Sequence, residues 1–159
     1  MALDNSKKTF DRTVELFKAG SLDEAEEVCR SITKKDPRDI NFLSLLGSVL
    51  LRKDNFEEAE TVLRAVIKLA PEYPRAHEDL GTILLNLGKS EQALVPLQSA
   101  IKLNPKSSSA FFKLGGALKN LGRDEAGDAA LKHAAELSPS QASLEKATKL
   151  FVQGEYREA

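Results

Sequence analysis

Apolar residues recur along this chain at intervals of three and four, the spacing that places side chains on one face of an α-helix. The clearest of these apolar stripes are Phe10, Val14 and Phe17, then Leu43, Leu46 and Leu50, then Ala59, Leu63 and Val66. Polar or glycine-containing turns separate the stripes. The pattern therefore predicts an all-α chain of helices joined by short turns.

The stripes themselves repeat with a period of 34 residues. The columns in this register are the prolines Pro37, Pro71, Pro105 and Pro139, the Leu-Gly pairs at 46–47, 80–81 and 114–115, the alanines Ala25, Ala59 and Ala93, and the turn residues Gly20, Asp54, Gly88 and Gly122. Such periods are typical of stacked helix pairs. We expect a single array over residues 1–159, with repeats at 6–39, 40–73, 74–107 and 108–141 and a partial fifth repeat at 140–159.

The order of these columns, Leu-Gly, turn, alanine and proline, resembles the tetratricopeptide repeat over residues 6 to 159. The resemblance implies a right-handed superhelix, an α-solenoid of antiparallel helix pairs with about nine helices. It also implies a non-catalytic scaffold that binds an extended peptide or protein segment on its concave face.

Several local signals predict how the helices start and pack. Ser21 followed by Glu24 is a capping-box pattern, Asn55 is a candidate N-cap with Glu58 three residues on, and Pro74 suits the first position of a helix.

Two further expectations concern backbone breakers. Pro96 predicts a bend near Gln92, and Gly127, where earlier repeats have alanine, predicts that the second helix of the fourth repeat is the least stable. Gly47 is expected to let the helix carrying Ala59 approach closely.

Composition narrows the class of function. The chain has 42% apolar and 30% charged residues and a net charge of −1, so no strong field attracts nucleic acid or an anionic membrane. No run reaches the roughly 20 apolar residues of a membrane span. The single cysteine, Cys29, cannot form an internal disulfide. We therefore expect a cytoplasmic protein with no nucleic-acid or membrane partner.

Residues that could support catalysis do not form recognisable sets. His77 and His133 lie in different repeats without a cysteine at ligand spacing, so no metal site is predicted. Cys29 stands in the column of Leu63, Leu97 and Leu131, which favours a buried apolar role over a reactive thiol. The Leu-Gly-Gly-Ala run at 114–117 is typical of helix packing and not of a phosphate loop. We predict no enzyme activity in this segment, no cofactor and no metal.

The candidate binding residues lie beside the Leu-Gly seam on the first helix of each repeat. They are Phe10, Val14, Phe17, Lys18, Leu51, Arg52, Arg75, Glu78, Asn86, Phe112, Lys113, Lys119 and Asn120. One file among them, Lys18, Arg52, Asn86 and Asn120, recurs every 34 residues and could donate to the main chain of an extended peptide, with Phe112 as an apolar floor. The alternative is that these are ordinary solvated polar positions.

Two related functions are disfavoured. Repeats of this family that bind the acidic C-termini of Hsp70 and Hsp90 carry basic and amide residues at inner positions, where this chain has Phe10, Val14, Leu45 and Asp79, with only Arg75 of the right sign. The RNA-binding pentatricopeptide repeats have a period of 35, not 34.

A further resemblance concerns context. Residues 18–26 with Arg30 and Pro37 are similar to the first repeats of large bacterial proteins in which the array precedes a sulfotransferase or glycosyltransferase domain. In that alternative the segment docks the catalytic domain or presents protein substrates. The partial last repeat also leads us to expect weak self-association at the C-terminal end, through Leu150 or Phe151.

Overall fold

The structure is a computed structural model that describes residues 2–138, with side chains from residue 6 onward. This range contains eight helices and no strand. They are α1 Ala2–Ala19, α2 Leu22–Lys35, α3 Ile40–Arg52, α4 Phe56–Leu69, α5 Pro74–Asn86, α6 Ser90–Leu103, α7 Ser108–Asn120 and α8 Asp124–Leu137. The predicted all-α class is confirmed. The partial fifth repeat expected at 140–159, with Leu150 and Phe151, lies outside the described residues.

The helices stack in chain order. Helices α3, α5 and α7 begin at residues 40, 74 and 108, and α4, α6 and α8 begin at 56, 90 and 124, so both series keep the period of 34. Each helix packs against the next one, and α1, α3, α5 and α7 also contact one another in sequence. The odd-numbered helices therefore form one layer and the even-numbered helices form the other.

The turn column adopts the left-handed backbone that glycine tolerates best. Gly20, Gly88 and Gly122 have φ values of 84°, 71° and 70°, and Asp54 takes the same conformation with φ 57°. Each of these turns reverses the chain within a helix pair. The sequence column at these positions thus corresponds to a real backbone requirement.

The expected N-cap positions of α2 and α4 are confirmed, but the expected side-chain capping bonds are absent. Ser21 and Asn55 precede α2 and α4, but neither side chain accepts a capping hydrogen bond. Their ψ angles of 64° and 70° fall short of the extended backbone that presents a cap oxygen to the helix, and the Asn55 amide instead donates to Glu58 at 3.0 Å. The side-chain caps are at Asp39 and Ser107, with ψ of 95° and 94°, which accept from the amides of residues 42 and 110. Pro74 occupies the first turn of α5, as predicted.

The small residues of the Leu-Gly pairs bring the helices of each pair together. A Cβ added at Gly47 would lie 2.6 Å from Leu63 Cδ2, and the same relation holds for Gly81 with Leu97 at 2.5 Å. The expected close approach of the helix carrying Ala59 is confirmed, and the side chain nearest to Gly47 is Leu63, one turn further along α4. The reason is that the leucine side chain reaches back along α4 to cover the glycine.

Two other expectations meet a different environment. Helix α6 is continuous from Ser90 to Leu103 with Pro96 inside it, so the bend near Gln92 stays a prediction. Gly127 is buried against α7, where an added Cβ would meet Lys119 Cγ at 2.5 Å and the Gly115 carbonyl oxygen at 3.1 Å. Glycine at residue 127 therefore allows α8 to pack closely against α7, although glycine has a lower helix propensity than alanine.

Candidate functional site

A groove of about 260 Å³ runs across the odd-numbered helices at the N-terminal half of the array. We name it the first-helix groove. Its lining residues are Phe10, Val14, Phe17 and Lys18 of α1, Asn41, Ser44, Leu45 and Ser48 of α3, and Tyr73 with Arg75 at the start of α5. Phe10 is held in place by an edge-to-face contact with the buried Phe42, with ring centroids 5.3 Å apart. The groove therefore has an apolar floor supported by the core.

An ion pair between the buried Asp79 and the exposed Arg75 fixes one wall of this groove. The Asp79 carboxylate is only 4% exposed and accepts hydrogen bonds from Ser48 Oγ at 2.7 Å and from Arg75 Nε at 3.0 Å. The Asp79 charge raises the pKa of Arg75 further above its usual value. Arg75 is 59% exposed on its side chain. Because Nε is held by Asp79, the terminal amino groups of Arg75 are positioned for a ligand in the groove.

Arg52 is used within the fold. Its Nη1 donates to the Phe17 carbonyl oxygen at 2.6 Å, and its guanidinium carbon lies 4.8 Å from the centre of the Phe17 ring. This cation–π contact joins α3 to α1. Lys18 pairs with Glu15 at 3.0 Å, and both side chains are mostly exposed, so a ligand can recruit Lys18 at low cost.

Glu78 of α5 and Lys113 of α7 form an ion pair. Glu78 accepts from Lys113 Nζ and Ser109 Oγ, both at 2.7 Å, and from Ser107 Oγ at 3.1 Å. Burial raises the pKa of Glu78, but these hydrogen bonds outweigh it and hold the pKa below its usual value. The cluster ties two successive first helices together.

The expected donor file is only partly available. Arg52 donates within the chain, and the Asn120 amide donates to Ser90 Oγ at 3.3 Å. Asn86 is exposed and makes no hydrogen bond with its side chain within residues 6–138. Lys119 contacts Asp128 of α8 through its ammonium group at 2.6 Å, and its stem packs beside Gly127, so its role in binding stays a prediction.

The other predicted residues lie away from the groove lining. Leu51 and Phe112 are half-buried, and Leu51 packs against the core. The sequence reasoning missed Asn41 and Tyr73 as lining residues. Tyr73 precedes α5 in the column where Asp39 and Ser107 act as caps, so an aromatic residue at a cap position was the available signal.

The described residues do not provide a metal site, a reactive thiol or a membrane-spanning helix. Residues 6–138 contain no cluster of three or more His, Cys, Asp or Glu side chains that could hold a metal ion. Burial raises the pKa of Cys29 to about 12, which keeps the thiol protonated and unreactive. Within residues 2–138, every helix is too short or too polar to cross a membrane.

Solved structures share this architecture. A crystal structure of MamA has 21% identity, a TM-score of 0.76, and covers 87% of this chain and 81% of its own. A MamA RS-1 ArsTM double mutant has 26% identity and a TM-score of 0.75, covering 86% and 76%. The thermophilic TPR protein TTC0263 of Thermus thermophilus has 23% identity and a TM-score of 0.74, covering 84% and 74%. These likenesses show the fold, a right-handed α-solenoid.

Family models agree with the structural neighbours. A tetratricopeptide repeat model matches residues 16–78 and 50–110, and a second one matches residues 108–141. No curated protein matches the sequence significantly. The sulfotransferase or glycosyltransferase context stays a prediction. Since the family models together span most of the sequence, the chain belongs to the tetratricopeptide repeat family.

Proposed function

We propose that this chain is a non-catalytic scaffold that binds an extended segment of a protein partner in the first-helix groove. One observation carries the proposal: an apolar floor supported by the core lies beside Arg75, which the buried Asp79 holds in position. Aromatic and arginine side chains dominate the energetics of protein interfaces. A preorganised arginine also loses little conformational entropy when a ligand binds.

The chemistry of the groove defines the segment it accepts. Phe10, Val14 and Phe17 offer space for an apolar side chain, and Arg75 offers two amino groups to a carboxylate or to main-chain carbonyl oxygens. Lys18 adds a second cation at the rim. An apolar residue followed by an acidic residue fits this arrangement. The alternative role, docking a catalytic domain of the same protein, would use the same surface.

A phage-displayed library of random peptides, selected on the whole chain, tests this function. Enriched peptides are synthesised and titrated by fluorescence anisotropy against wild type, Arg75→Gln and Lys18→Glu, with Arg38→Gln as an exposed control outside the groove. We expect binding to weaken about tenfold for Arg75→Gln, which corresponds to about 1.4 kcal/mol, and to stay unchanged for Arg38→Gln. The proposal would be contradicted if no enriched peptide lost affinity for Arg75→Gln. Thermal denaturation of each variant checks that the fold is kept, because Asp79 loses its ion-pair partner in Arg75→Gln.

A further inference from the structure

A second crevice lies on the other layer of the array, between α4, α5 and α6. Its volume is about 330 Å³, and its lining residues are Arg64, Ile67, Lys68, His77, Leu80, Val95, Pro96 and Ser99. None of these residues lines the first-helix groove. His77 is already occupied, because its Nε2 lies 2.6 Å from the Pro71 carbonyl oxygen. Apart from Ser99, the walls that remain for a ligand are apolar or cationic.

Val95 marks this crevice as unusual within the repeat pattern. It is 69% exposed, and the equivalent positions of the other repeats hold Glu27, Thr61 and Ala129. The next column holds Val28 and Val62, whereas α6 has Pro96 there. A departure from an otherwise regular pattern that does not improve folding points to function. An exposed branched side chain beside a crevice is such a departure.

The charged side chains that line the crevice are basic. Residues 61–71, which include the later turns of α4, and residues 92–105, which include most of α6, contain Arg64, Lys68 and Lys102 and no aspartate or glutamate. Glu60, one turn before Arg64, is shared between Arg64 at 2.8 Å and Lys89 at 3.2 Å. Lys68 has no ion-pair partner within the described residues. The equivalent segments of the first and fourth repeats do carry acids, at Glu27, Asp36, Asp128 and Glu136.

We propose that this α4–α6 crevice binds a short acidic and apolar segment of a protein partner. An apolar side chain of the partner packs between Ile67 and Val95, and a neighbouring aspartate or glutamate pairs with Lys68. Charge complementarity selects this occupant, since the crevice carries cations and no carboxylate of its own. The small, open volume suits one or two side chains and lies at the low end for an enclosed small-molecule site.

Matched variants test the proposal with a random peptide library displayed on phage. Selection on the whole chain is followed by titration of the enriched peptides against Val95→Glu and Lys68→Glu. Ala129→Glu is the control for Val95→Glu, because Ala129 occupies the same repeat column in α8. Lys34→Glu is the control for Lys68→Glu, because Lys34 occupies the same column in α2 and both lysines lie in the last turn of their helices. Val95, Lys68, Ala129 and Lys34 are all exposed, so the four variants should unfold at the temperature of wild type.

We expect a class of peptides in which leucine, isoleucine or phenylalanine adjoins an acidic residue. Their affinity should fall about tenfold in each crevice variant and stay within about twofold in both controls. NMR shifts on peptide addition should fall on residues 64–68 and 92–99. Arg75→Gln should leave this class unaffected, which separates the crevice from the first-helix groove.

Other occupants give distinct results that would overturn the proposal. Peptides whose binding falls only in Arg75→Gln would assign recognition to the groove alone. A wild-type dimer in sedimentation velocity that Val95→Glu dissociates would make the occupant a second copy of the chain. Retention on phosphatidylcholine–phosphatidylglycerol vesicles that Lys68→Glu abolishes would make it an anionic lipid surface.

Discussion

At Gly47 the packing of two helices depends on the absence of one methyl group. Gly47→Ala would place Cβ 2.6 Å from Leu63 Cδ2 and 2.7 Å from Cγ, and Leu63 is fully buried. Although alanine favours a helix over glycine, we expect the overpacking to lower the free energy of unfolding by about 1–3 kcal/mol. Urea denaturation measures the change.

Gly116 provides the opposite case on α7. A Cβ there meets nothing within 4 Å, so Gly116→Ala should gain helix propensity without a clash. The expected gain is about 0.5–1 kcal/mol in the free energy of unfolding. If both alanine variants changed stability in the same direction, the close contact between Gly47 and Leu63 would not control packing.

The Glu78 cluster makes stability depend on pH. The pKa of Glu78 in the folded chain lies below the ordinary value of 4.5. The Glu78 carboxylate therefore contributes stability above about pH 4.5, and this stability is lost as the pH falls through the lowered pKa of the folded chain. Glu78→Gln should cost about 1–2 kcal/mol at neutral pH and flatten the acid limb of a plot of unfolding free energy against pH. Glu91→Gln, which removes an exposed pair with Arg123 at 3.2 Å, should change stability by less than about 0.5 kcal/mol. Equal acid sensitivity of wild type and Glu78→Gln would assign the pH effect to other carboxylates.

At the scale of the element, Pro96 is the one proline in the interior of a described helix, since Pro74 stands at the first position of α5. Pro96→Ala restores an N–H for the Gln92 carbonyl oxygen and removes the ring's clash with the preceding turn, a gain of up to about 3 kcal/mol, while some packing of the buried ring is lost. We expect a net increase of about 1–2 kcal/mol in the free energy of unfolding. Val62→Pro, at the same column of α4, should lower it by about 3 kcal/mol or more. A loss of stability in Pro96→Ala would mean that the ring's packing contributes more than the missing hydrogen bond.

Periodicity was sufficient to predict the helices, because the 34-residue columns record which side chains must meet between neighbouring helices. Cap geometry was not predictable in the same way. Ser21 and Asn55 have the right side chains, but their ψ angles are set by the turn column before them. The contacts of Lys119 were not predictable either, because a long side chain can reach either layer, and its stem lies in the space beside Gly127. The periodicity selected Phe10, Val14 and Phe17, which line the groove, whereas the pairing of Arg75 with Asp79 depends on distances that no sequence period encodes.

At the scale of the whole molecule, the buried core is uneven along the array. The largest fully buried side chains, Phe42, Leu50, Leu63, Ile83, Leu84 and Leu97, all lie in α3 to α6. By contrast, the buried residues of α8 are Gly127, Ala130 and Ala134. Apolar burial contributes about 25 cal/mol per Å², so the small side chains of α8 contribute less than those of α4. Since each repeat contacts only its neighbours, stability need not be uniform along the chain.

Native-state hydrogen exchange can measure this gradient residue by residue. We expect amides in the middle of α8 to exchange at least about tenfold faster than their counterparts in α4, with Leu131 and Leu63 as the matched pair, because a local opening of α8 exposes little apolar surface. Leu63 is fully buried, whereas Leu131 is half-buried in the same column. Gly127→Ala distinguishes a packing effect from an effect of helix propensity. If low helix propensity limits α8, the alanine would slow hydrogen exchange in α8. If the clash of the added Cβ with Lys119 and Gly115 dominates, hydrogen exchange in α7 and α8 would become faster together. Equal rates at Leu131 and Leu63 would instead mean that the array opens as one cooperative unit.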